Sequence, residues 1–406
     1  MTEVLDRSVH FVGTYPVVAE GATDATTSQE VNAAAMAEMM RLAGPYLESL
    51  PAEASKPVWI ASKKGERPGG KDSDLEVLQQ HAALHLREPN EKPIPNDYLN
   101  NEWRYEVKKG EKFTAGPLKP AFEQIYVQPV RENWETFQEL RKQYGRPDLR
   151  YQFGLPSPLN PAIFAFRREG TTASLVNGLL RYQRPFAELY QHVVDTLNTD
   201  PAVGTPGKDR NTDFRYQVEL PAEPAGMNKM WPSIQPATNR VIGDILAHDN
   251  AKQIAGFPEG AEVDVHLCKG DFEHHEYSSL TTRTLVDFGL ALIRHWPAGR
   301  VLNGMQIPLG SGKNPPPVDG AHYEALGELS DALNNMPRPE GTRAPRLIYG
   351  YIHEANDLPT QRKITRMIEH ATGQEVRHVS AACGLGRIDR EAARLIIARS
   401  LSAIGA

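Results

Sequence analysis

Only two cysteines occur in 406 residues, and each closes a run rich in β-branched or small residues. One ends Val263-Asp264-Val265-His266-Leu267-Cys268; the other follows Val379-Ser380-Ala381-Ala382 as Cys383. Side chains of an extended strand alternate between faces, so His266 and Cys268, two apart, point the same way. Such a pair can chelate one metal ion, and a distant Cys383 can complete the set once the fold closes. Imidazole and thiolate are borderline-soft donors suited to zinc, which takes three or four protein ligands. Taken singly, these residues have plainer uses. A strand-end cysteine is often a small buried apolar group, and a lone histidine is often hydrogen-bonded core. What points to a metal is that the chain places both cysteines at strand ends, one of them beside a histidine.

The elements that must position this set are legible as periodicity. Eight short β-like runs lie around Val9–Tyr15, Pro57–Ser62, Tyr151–Leu155, Phe214–Leu220, Val263–Cys268, Val301–Pro308, Leu347–His353 and Val376–Ala381. Between them are amphipathic stretches with apolar residues three and four apart, including Val31–Leu50, Leu175–Leu197, Val241–Ile254, Thr281–His295, Tyr323–Leu333 and Arg390–Ile404. Eight strand-helix units predict a closed (β/α)8 barrel spanning 1–406 as one domain. An open doubly wound sheet is the alternative, but no Gly-rich turn follows the first run. Barrel chemistry sits at the C-terminal strand ends. The fifth and eighth runs deliver His266, Cys268 and Cys383 to that same rim.

Residues 63–150 break the rhythm with polar, Pro-rich and charged sequence, and read as an insertion after the second strand, with a further short strand near Gln124–Gln128. Such an insertion serves as a lid, an arm for homo-oligomer formation, or plain surface elaboration.

Composition narrows the function classes. Lys and Arg number 45 against 51 Asp and Glu, a formal net charge of −6, which argues against nucleic acid and anionic membranes as partners. Two widely separated cysteines do not make a secreted disulfide scaffold. The acidic start, Met1-Thr2-Glu3-Val4-Leu5-Asp6, lacks a signal-peptide pattern, and no apolar run is long enough to span a bilayer. A soluble cytoplasmic protein is expected.

His266-Leu267-Cys268 and Ala382-Cys383-Gly384-Leu385-Gly386-Arg387 resemble the zinc motifs of the cobalamin-independent methionine synthase and uroporphyrinogen decarboxylase superfamily, and more narrowly of single-barrel methionine-synthase-like proteins. The resemblance covers most of the chain outside 63–150. It implies a TIM barrel holding zinc through His266, Cys268 and Cys383. Gly13-Thr14-Tyr15-Pro16 resembles the family's Gly-Ser-x-Pro opening, which makes Thr14 a candidate for holding a substrate carboxylate. Gln217-Val218-Glu219-Leu220-Pro221 resembles its Gln-x-Asp-Glu-Pro strand end, which makes Glu219 a candidate for a substrate amine, although Leu220 replaces one acid. Gly154-Leu155-Pro156-Ser157-Pro158 resembles a substrate-pocket loop, which gives Ser157 a similar standing. The family's fourth ligand is a Glu, and the comparable stretch here offers Gln306, a poor zinc ligand and a candidate substrate contact. Glu354, after the seventh run, is the candidate substitute ligand, with a water as the alternative fourth donor. Glu273, His274, His275 and Glu276 also follow the His-x-Cys pair but read better as a solvated charge cluster.

The expected activity is that of a zinc-dependent thiol alkyl- or methyltransferase, with a zinc-activated substrate thiolate attacking an electrophilic carbon. Its partners are a small-molecule thiol and an alkyl donor. His353 and Glu354 are the candidate catalytic pair, His353 protonating a leaving group. A zinc hydrolase or lyase on the same barrel, or a barrel merely stapled by zinc, are the alternatives. Gly310-Ser311-Gly312-Lys313 is not a phosphate loop, which needs a longer glycine spacing and a hydroxyl after the lysine.

Overall fold

The computed structural model describes residues 6–16, 28–51, 77–87, 104–166, 178–205, 207, 209–230, 235–269, 271–272, 275–276, 280–338 and 340–406. The chain forms two compact units: Met1–Ser55, Glu132–Leu155 and Gly204–Ala406 make the first, Lys56–Arg131 and Pro156–Val203 the second. Of the expected insertion, residues 63–131 fall in the second unit and 132–150 in the first.

The first unit is built on eight parallel strands: β1 (Ser8–His10), β2 (Ser49–Pro51), β3 (Arg150–Pro156), β4 (Phe214–Leu220), β5 (Glu262–Leu267), β6 (Val301–Pro308), β7 (Arg346–Ile352) and β8 (His378–Ala381). From β2 to β8 each strand bonds to the next in chain order, and β1 pairs with β8 with Val9 opposite Val379. The series is thus a nearly closed (β/α)8 barrel, with β1 and β2 at the two ends of the bonded order.

Alternation along the strands explains the layering. Outward residues such as Leu267 and Met305 meet helix Thr282–Arg294, where Gly289 lets them approach: a Cβ there would lie 3.4 Å from Leu267 and 3.0 Å from Met305. Inward residues are polar. Near the N-terminal strand ends Glu48 receives Arg215 at 2.8 Å and Arg343 at 2.6 Å, and also pairs with Arg346. One layer up, Gln217 Oε1 accepts from Gln152 Nε2 at 3.0 Å and lies 3.0 Å from His10 Nε2, while Ser49 donates to Gln152 at 2.8 Å. Buried polar groups need such partners, and pairing them inside the barrel gives each strand a fixed register.

Two expectations need correction. The expected helix Val31–Leu50 ends at Ala43, and its last residues are strand β2. Pro45 removes an amide hydrogen and its ring clashes with a continuing helix, so Gly44–Tyr46 becomes a 3-10 turn before the chain extends. The run expected as the second strand, Pro57–Ser62, lies outside the described residues. The strand expected near Gln124–Gln128 is helical: Lys119–Phe122 continues through a π turn, Glu123–Val127, into Gln128–Gln143. Tyr126 and Val127 are buried from a helical backbone, with Phe122 and Tyr126 four apart and both packed on Tyr190 at 5.9 and 5.7 Å. Tertiary packing there overrides local propensity.

The second unit carries an antiparallel hairpin, Leu84–Arg87 with Arg104–Val107, and an aromatic cluster in which Phe166 stacks on Tyr182 at 4.0 Å and Phe113 packs against Phe186 at 5.3 Å. Among the described residues no helix is long and apolar enough to cross a membrane.

Candidate metal centre

Strand β5 ends at Leu267, so His266 is its last inward residue and Cys268 continues the same face one step beyond the ladder. Cys383 stands in the turn after β8. The two sulfurs lie 3.9 Å apart, and Cys383 Sγ lies 3.9 Å from His266 Nε2. All three donor atoms fall within 4.8 Å of one another. Tetrahedral zinc with ordinary bond lengths sets two sulfurs about 3.8 Å apart, and sulfur and nitrogen about 3.6 Å apart. Both distances from Cys383 Sγ therefore match zinc to a few tenths of an ångström, and the remaining pair lies within 4.8 Å. His266 and Cys268 are buried and Cys383 half-buried.

The electrostatics show what a cation would relieve. The neighbouring Cys268 and burial together push the Cys383 thiol well above its usual range, His266 opposing them only in part. Burial pulls the His266 imidazole down, but Cys383, Glu219 and Gln306 outweigh it, so the net shift is upward. Two sulfurs this close oppose each other's ionisation unless a positive charge lies between them.

The other candidates divide. Gln306 faces His266 across β6 and β5, in register with it, and its Oε1 bonds His266 Nδ1. Glu219 is the register partner of His266 on the other side, from β4. Its carboxylate takes a hydrogen bond from Gln217 at 3.2 Å and fills space left by Gly154, where a Cβ would stand 3.2 Å away. Thr14 Oγ1 accepts from the Gly386 amide at 3.2 Å, which ties the segment after β1 to the Cys383 turn. Gly384 permits the approach, since a Cβ there would sit 2.9 Å from that hydroxyl.

His353 and Glu354 follow β7. Among the described residues the metal-ligating group comprises His266, Cys268 and Cys383, without Glu354. The Glu354 carboxylate lies 3.3 Å from His353 Nδ1. Both ring nitrogens of His353 meet the main chain: Nδ1 accepts from Ala355 at 3.0 Å, and Nε2 donates to the Gly312 carbonyl at 2.8 Å. That bond anchors the Ser311–Asn314 turn, which leaves Lys313 exposed. Ser157 belongs to the second unit, is fully buried, and accepts from the Asn160 amide at 3.3 Å at the start of helix Leu159–Phe164. Glu273 and His274 lie outside the described residues; His275 and Glu276 form a short strand paired with Asp271–Phe272.

Sequence reasoning passed over Gly350, Ser380 and Gln152. A glycine inside a strand signals close approach of another group, and Gly350 was readable in that way.

Fold and site together define a (β/α)8 barrel with a His-Cys-Cys cluster at the C-terminal strand ends. A B12-independent methionine synthase from Shewanella sp. W3-18-1, solved in complex with selenomethionine, is similar with a TM-score of 0.55 over 99% of this chain and 97% of that chain, at 12% identity. A putative vitamin-B12 independent methionine synthase from Listeria monocytogenes matches 54% of this chain and 69% of that chain at 18% identity, with a TM-score of 0.28. At such identity the first likeness establishes the barrel fold. No sequence family matches the chain, and no curated protein matches it by sequence.

Proposed function

We propose that the chain is a zinc-dependent thiol alkyltransferase, using a small-molecule thiol and an alkyl, most simply methyl, donor. The observation that carries the reading is the spacing of His266 Nε2, Cys268 Sγ and Cys383 Sγ at the strand ends where barrels do chemistry. Zinc held by His266, Cys268 and Cys383 would supply a Lewis acid that lowers the pKa of an incoming thiol from about 8.5 and so makes a thiolate accessible at neutral pH. The chain's own residues then orient the nucleophile. Glu219, in register with His266, offers a carboxylate to a substrate amine, held in place by the Gln217 amide. Thr14 fixes the turn that presents Cys383. The resemblance of a solved methionine synthase over nearly the whole chain supports this choice among barrel chemistries.

The test is zinc content and zinc K-edge absorption of protein purified without chelators. About one zinc per chain with two sulfur neighbours is expected, rising to three when homocysteine or another accepted thiol is added. A sulfur count that no thiol changes would favour a hydrolase, a lyase or a structural staple. Absence of metal after reconstitution would end the zinc reading.

A further inference from the structure

Gln306 occupies a position whose surroundings fix what its side chain does. Its Nε2 lies 2.9 Å from Ser380 Oγ and 3.0 Å from the Ala381 carbonyl, and its Oε1 faces His266 Nδ1. A carbonyl oxygen only accepts, so the amide nitrogen must be the atom turned toward Ala381, and the amide oxygen is left facing the imidazole. That oxygen also only accepts, so the hydrogen between them sits on Nδ1. A neutral imidazole carries one such hydrogen, so Nε2 keeps its lone pair. Nε2 is the atom that lies 3.9 Å from Cys383 Sγ. The seat is made by a missing side chain: a Cβ on Gly350 would come within 2.2 Å of Gln306 Nε2.

We propose that Gln306, seated by Gly350, Ser380 and the Ala381 carbonyl, is a positioning residue that holds His266 in its Nδ1–H form and reserves Nε2 for the metal. The inference rests on the metal reading above and adds that Gln306 is not a ligand. Both amide hydrogens and the amide oxygen are engaged, so ligation would break the contacts that orient His266. The seat also suits an amide over an acid, because a carboxylate would turn lone pairs toward the Ala381 carbonyl. Hydrogen bonds of this kind to a ligating histidine typically govern 10–100-fold in metal affinity.

The experiment has two arms on the full chain. Long-range nitrogen-proton NMR of histidine-labelled, metal-free protein at mildly alkaline pH reads the tautomer of His266, assigned by its loss in His266→Asn. Wild type is expected as Nδ1–H, and Gln306→Leu as a mixture of both forms. In the second arm, competition with a chromophoric chelator measures zinc affinity, and cobalt absorption reports the ligand field. Gln306→Leu and Gly350→Ala are each expected to weaken zinc binding by about 10–100-fold while keeping one ion per chain. Gln306→Glu is expected to fall short of wild type, because the acid loses its donors to Ser380 and Ala381. Wild-type His266 found as Nε2–H overturns the proposal, as does unchanged affinity and cobalt spectrum in a folded Gln306→Leu protein. Wild type that binds no metal overturns the thiol-transfer reading itself, which separates the two failures.

Discussion

The proposed metal uptake turns on Cys383, which lies 3.9 Å from both Cys268 Sγ and His266 Nε2. Its thiol is pushed well above the ordinary range by Cys268 and burial, so in the metal-free protein it keeps its proton at neutral pH. A metal that binds thiolates must displace that proton, and the upward-shifted His266 must also be neutral to ligate, so mass action makes zinc affinity rise with pH across about pH 6 to 8. In Cys383→Ser the Cys383 proton is no longer released, so that rise becomes shallower by about one decade per pH unit and the affinity drops at every pH. Zinc-binding constants measured against a competing chelator across that range check both statements. This pair was visible in the sequence because strand alternation alone aligns His266 with Cys268. The contribution of Gln306 was not, because it depends on the absent side chain of Gly350 and on a carbonyl, Ala381, from another strand.

The strands themselves were readable where they are long and bounded by turn residues: β4 and β6 run over Phe214–Leu220 and Val301–Pro308, the ranges their residues imply. Strand β2 was not, for it is a three-residue segment following directly on a helical pattern and a proline turn. What its position buries explains why so short a strand holds. Glu48, the residue before β2, meets Arg215, Arg343 and Arg346 from β4, the β7 approach and β7. Glu48→Ala leaves these cations facing one another in the barrel interior, and removal of one partner from a buried ion cluster typically costs about 3–5 kcal/mol. A lower urea midpoint with unchanged slope is the expected result. The β1–β8 seam has its own pH dependence. His378, 2.9 Å from Ser8 Oγ, is pushed down to about 3, first by burial and then by Arg346, with Arg343 and Arg377 adding to the effect and Glu48 opposing it. Unfolded, this imidazole binds a proton below its ordinary pKa of about 6.5, whereas folded it does not until about 3. The unfolded state therefore holds the extra proton in that window. Its contribution to stability is full above the unfolded pKa and falls with acidity, by up to about 1.4 kcal/mol per pH unit. His378→Asn should flatten the acid limb of the stability-pH curve between about pH 6.5 and 3.

At the scale of the whole molecule, the eightfold strand-helix alternation announced the barrel, whereas the division of 56–203 between two compact units had no sequence signal beyond charged and Pro-rich stretches. Among the described residues no ladder joins β1 to β2, so closure rests on the seven other seams. Cys268 and Cys383 are 115 residues apart in the chain, and a metal held by both joins the end of β5 to the turn after β8. An ion that binds only the folded state stabilises it by mass action, about 4 kcal/mol when its free concentration is a thousandfold above Kd. Stripping zinc from the wild type with a strong chelator should therefore lower the unfolding temperature by several degrees. Hydrogen exchange should place the lost protection in peptides covering β5, β6 and the Cys383 turn, and leave the hairpin Leu84–Arg87 with Arg104–Val107, which lies in the other compact unit and holds no donor, as it was. The double variant Cys268→Ser, Cys383→Ser should show neither the temperature shift nor the exchange change on chelation. A chelator effect that persists in that variant would mean the ion binds elsewhere in the chain, and an absent effect in a zinc-loaded wild type would mean the site adds nothing to the stability of the barrel and is held together by the polar interior alone.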